Sequence, residues 1–101
     1  MALIDEVKDE CGISWSDEDT DRKINGIMVR AKAILDKFAG EPCDYENSGS
    51  ERQLFCSLCR YIYNDAFEEF GRNFQTDITQ LRLDYERKRY AEAEENADAE
   101  P

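Results

Sequence analysis

Cys56 and Cys59 form a C-x-x-C spacing, and Cys11 and Cys43 bring the chain to four cysteines. Four thiolates could complete a tetrahedral zinc site, and two thiols three residues apart could cycle as a redox pair. The surrounding pattern argues against both. Helical periodicity puts Cys56 and Cys59 in mid-helix, not at a knuckle turn or a helix start. Cys11 and Cys43 stand alone. A thiol in a helical core is a small hydrophobe, and a stable disulfide is not expected in a reducing cytosol.

Asp17, Asp19 and Asp21 have the spacing that opens a calcium loop. Such a loop needs glycine at its sixth place and glutamate at its twelfth, and here Arg22 and Met28 stand there. Negative charge at the start of a helix explains the acids instead. Glu68 with Glu69, or Asp17 with Glu18, could serve as acid–base pairs, but no nucleophile or phosphate loop accompanies them. The chain has no histidine, which removes the commonest general base and metal ligand. The sequence predicts no enzyme, no metal and no cofactor.

What the residue types offer is contact chemistry. Arg82, Tyr85, Arg87, Lys88, Arg89 and Tyr90 form a locally basic, aromatic piece near the C-terminus of an acidic chain. Arginine and tyrosine are favoured at protein interfaces. Tyr61, Tyr63 and Leu83 could add to such a surface, or these tyrosines are ordinary half-buried ones. The candidate partner interface is therefore Arg82, Tyr85, Arg87, Lys88, Arg89 and Tyr90.

A chain of 101 residues suggests one domain. No run of about 18 apolar residues exists, so no membrane span is expected. The acidic start MALIDEVKDE does not have the form of a signal peptide. A net charge of −11 opposes binding to a nucleic acid backbone. Two prolines and five glycines in so charged a chain point to an all-α fold, a small bundle of about four helices.

The stretch Ser50 to Phe70 is the expected hub, a long central helix. Ser50 and Gln53 form a capping box. Leu54, Leu58, Tyr61, Ile62 and Phe70 make one apolar stripe, and Phe55, Cys59, Ile62 and Ala66 a second. Two stripes mark a helix buried on more than one side. Ahead of it, a short helix from Ala2 to Cys11 ends at Gly12, and a second begins near Ser16, with Ser16 and Asp19 as cap pair. That second helix runs to Phe38 before Gly40 and Pro42. Ile13 and Trp15 are expected to pin the first loop, and Tyr45 to fold back from the second. Gly71 and Asn73 end the hub. A C-terminal helix then carries the stripe Phe74, Ile78, Leu81 and Tyr85. The expected domain is 1–90. The remainder, 91–101, is an acidic tail expected to be disordered or a frayed helix end.

In this order the segments GISWSDED, RAKAILDKFAG and ERQLFCSLCRYIYNDAFEEFGRNFQTDITQLRLDY resemble the small head–tail connector (adaptor) proteins of long-tailed bacteriophages. Arg60-Tyr61-Ile62-Tyr63-Asn64, then Phe70, Asn73 and Phe74, then Leu81-Arg82 and Tyr85 carry the resemblance, which covers roughly residues 3 to 90. The acidic tail and the four cysteines are not part of the family pattern. The resemblance implies a structural virion protein, expected in the virion neck and in the host cytoplasm during assembly. It implies a ring of about a dozen subunits with closed symmetry, between the portal protein and a neck or head-completion protein. Genome DNA would pass through the channel without specific binding, and the basic C-terminal helix would face the portal. A small cytosolic helical adaptor or regulator of one protein partner is the alternative. A metal or thiol-redox module on Cys56 and Cys59 is the third reading.

Overall fold

The computed structural model describes residues 2–46 and 49–99, with the backbone alone for 95–99. Among the described residues it holds five α-helices and no strand. Helix α1 is Leu3–Glu10, α2 Glu18–Ala39, α3 Gly49–Tyr63, α4 Phe67–Asn73 and α5 Gln75–Ala99. The all-α expectation holds. The count does not: the expected hub is two helices, α3 and α4.

The break lies at Asn64 and Asp65. Asp65 has φ +58°, in the left-handed region that asparagine and aspartate tolerate better than other side chains. The Ala66 amide donates to the Tyr61 carbonyl at 2.8 Å, and the Asp65 amide to the Ile62 carbonyl at 3.1 Å. This pair of bonds is a Schellman C-cap. Gly71 lies inside α4 and ends nothing. A second Schellman cap closes α1, where Gly12 has φ +76° and Ile13 donates to Lys8 at 2.8 Å.

The N-cap of helix α2 lies one residue after the expected one. Its N-cap is Asp17, whose carboxylate accepts from the Thr20 amide at 2.8 Å. Ser16 instead receives the Lys8 ammonium at 3.3 Å. Helix α3 begins at Gly49, so Ser50 sits within the first turn and not ahead of it; the residue before Gly49 lies outside the described residues.

Helix α3 is the centre of the molecule. Leu54, Phe55, Cys56, Ser57, Leu58 and Cys59 are all buried, so the helix is covered all round. It packs on α1, α2 and α4. Val7, Ile24, Ala31, Leu35 and Phe70 close around it. Tyr45 does fold back: it is buried, its ring lies 4.9 Å from that of Phe55, and its hydroxyl donates to Asp36 at 2.6 Å. Of the first loop's apolar pair, Ile13 is buried and Trp15 is 51% exposed.

Polar ties close the remaining edges. Lys8 is buried on α1 and meets Asp21 at 2.8 Å. Arg52 of α3 joins Glu6 of α1 and the Glu46 carbonyl. Asp17, Asp19 and Asp21 are thus a cap, a partner of Arg22 and a partner of Lys8.

Candidate protein interface

The predicted interface lies on α5, which packs on α2 and α4. Its inner stripe is as expected: Ile78, Leu81 and Tyr85 are buried and Phe74 packs against the core. The six candidate residues do not share a face. Residues at steps of three and four align on a helix, so Arg82, Tyr85, Lys88 and Arg89 run along one side of α5 and Arg87 and Tyr90 along another; their contacts then divide the six into three groups.

Tyr85 belongs to the core. Its hydroxyl donates to the Glu51 carboxylate at 2.7 Å and accepts from the Asp44 amide at 3.3 Å. Burial, then the bond to Glu51, raises its hydroxyl above the ordinary tyrosine value.

Lys88 and Arg89 clasp the end of α2. Arg89 donates to the Ala39 carbonyl at 2.9 Å and to the Glu41 carboxylate at 3.1 Å. Lys88 donates to Glu41 at 3.2 Å and stands 5.3 Å from the Tyr85 ring centre. The last carbonyls of a helix lack partners within it, and Arg89 supplies one. The chain turns there at Gly40, with φ +85°. A Cβ at Gly40 would come 3.3 Å from the Arg89 guanidinium. Hydrogen bonds from Arg89 and then Lys88 hold the Glu41 carboxyl below the usual carboxylate range. Glu41 was not singled out in the sequence; its place directly after a glycine helix stop was the available signal.

Arg82, Arg87 and Tyr90 remain exposed. Arg87 and Tyr90 line up with Leu83 at steps of four and three. Leu83 is 40% exposed and Tyr90 68%. Arg87 makes no ion pair among the described residues. This outer stripe of one cation between two apolar side chains is suited to holding a protein surface. Arg82 points away from it, into a groove shared with α2 and α4. Helix α5 then continues through the acidic stretch to Ala99, with residues 91–94 exposed. Glu100 and Pro101 of the expected tail lie outside the described residues.

The thiols sit elsewhere: Cys56 and Cys59 on α3, Cys11 at the end of α1, and Cys43 in the loop after α2, where its amide donates to Asp36 at 3.0 Å. Cys56 and Cys59 are buried. Desolvation, then the charges of Glu6 and Glu10, pushes Cys56 up to about 11. Desolvation raises Cys59 further, with Cys56 and Cys11 adding to it. Among the described residues no three Cys, Asp or Glu side chains are placed to hold a metal ion. A reactive or ligating cysteine requires a stabilised thiolate, and this environment does the opposite. Among the described residues no helix is long and apolar enough to cross a membrane.

Comparison of the chain with protein families, with characterised proteins and with solved structures finds no match.

Proposed function

We propose that this protein is a head–tail connector subunit of a long-tailed bacteriophage. In that role it assembles as a ring between the portal and the next neck protein. One observation carries the reading furthest: the exposed stripe Leu83, Arg87 and Tyr90 on α5, a contact surface standing on an all-helical scaffold. The sequence resemblance supplies the kind of partner, and the clasp of Lys88 and Arg89 on α2 gives the stripe a fixed support. The net charge of −11 suits a channel wall along which DNA slides without sticking.

The test is to mix the protein with portal rings and image the product. A second ring of density on the portal supports the reading. Portal rings that stay bare, while the protein binds some single other partner, favour the small-adaptor alternative.

A further inference from the structure

We infer that Trp15 and the acidic turn behind it dock in the groove between α2, α4 and α5 of a second copy of this chain. The inference rests on the ring-forming reading above and gives that ring a contact between neighbours.

The groove is lined by Ile34, Lys37, Phe38, Phe67 and Arg82 and has a volume of about 540 Å³. No acid lines it. Phe67 is 38% exposed there, and neither Lys37 nor Arg82 makes an ion pair among the described residues. Two unpaired cations and two aromatic rings in a chain of net charge −11 select an occupant that is aromatic and acidic.

The chain presents such an element itself. Trp15 is its one tryptophan and is 51% exposed. Asp17, Glu18 and Asp19 follow it, all exposed. The indole N–H donates to the Thr20 hydroxyl at 3.1 Å, and that hydroxyl donates to Asp17 at 2.9 Å. The side chain is therefore held in place before any partner arrives, which lowers the ordering cost of binding.

A chain cannot fill its own groove this way. Trp15 precedes the start of α2, and Ile34, Lys37 and Phe38 lie at its end. The 22 residues of α2 span about 33 Å at 1.5 Å per residue. The contact must form between copies, knob to groove. Such a head-to-tail contact closes into rings or runs on as filaments. One indole buries only about 150–250 Å², well short of a stable interface. Free subunits therefore associate weakly, and the contact gains strength when a template holds neighbours side by side.

The full chain should be followed by sedimentation equilibrium and tryptophan emission at low salt, up to high concentration. We expect average mass to rise with concentration while the emission shifts to the blue. Trp15→Ala should weaken association by about 30-fold, the scale of a buried tryptophan anchor. E18K/D19K and K37E/R82E should each abolish it, and an equimolar mixture of the two should restore it. Circular dichroism checks that every variant stays helical. A parent that remains monomeric throughout, or variants that associate as it does, overturn the inference. The same variants on portal rings separate it from the connector reading. Variants that decorate portal rings like the parent remove the Trp15 contact and leave the connector standing. A parent that associates through Trp15 but never binds portal rings does the reverse.

Discussion

At the scale of single residues, burial decides what Cys56 and Cys59 can do. Both thiols face desolvation, Cys56 with the charges of Glu6 and Glu10 beside it and Cys59 with those of Cys56 and Cys11, and both are raised in the folded chain. A group raised on folding contributes stability that is complete below its unfolded value, about 8.5 for cysteine, and is lost as pH rises through its folded value. For Cys56 that value is about 11. Urea midpoints should therefore fall between these two limits, and C56A/C59A should fall less over the same window. At neutral pH that variant should cost about 1–2 kcal/mol in packing; unfolding of the parent by a chelator would contradict the packing role. Arg89 acts differently. It is part exposed, so its charge pair with Glu41 contributes little, but its bond to the Ala39 carbonyl completes the end of α2. Arg89→Ala should cost about 1 kcal/mol, read by urea denaturation, while Arg87→Ala should cost nothing measurable.

At the scale of elements, the informative place is the turn between α3 and α4. Asp65 occupies a left-handed conformation that costs a side chain with a Cβ roughly 1–2 kcal/mol. Asp65→Gly should leave stability equal or higher, and Asp65→Val should lower it by about that amount. Equal melting temperatures for the two variants would mean the turn is not fixed at this residue. The apolar stripes of α2, α3 and α5 were legible in the sequence because α2 and α3 keep one period along their length and α5 keeps one from Ile78 to Tyr85. The break was not, because Phe70 of α4 falls in phase with the stripe of α3 across the turn. Periodicity alone reads through such a turn, and the Asn64-Asp65 pair was the only local sign of it. The groove was illegible for another reason: Ile34, Phe67 and Arg82 come from three helices and meet only by packing. The basic residues of the second half of α2, Arg30, Lys32 and Lys37, were passed over because the C-terminal run is denser.

At the scale of the whole molecule, the long α5 sets the shape. The radius of gyration is 16.0 Å and the extents are 57 × 28 × 18 Å, against about 13 Å for a compact domain of this length. An elongated subunit exposes more of one helix than its own core requires, and the exposed part of α5 divides by role. Lys88 and Arg89 face inward to Glu41, whereas Leu83, Arg87 and Tyr90 face out. A reversal of all three basic residues would mix the two roles, so they must be changed apart. R87E with Tyr90→Ala should leave the melting temperature within a degree or so of the parent, because exposed groups contribute little to folding. It should weaken portal binding by at least about tenfold and flatten the dependence of the remaining binding on salt. K88E/R89E should show the opposite pattern: a lower melting temperature, with binding to portal rings retained at temperatures where the variant is folded. If K88E/R89E loses portal binding while R87E with Tyr90→Ala keeps it, the docking face is the inner pair's side of α5 and the outer stripe is ordinary exposed surface.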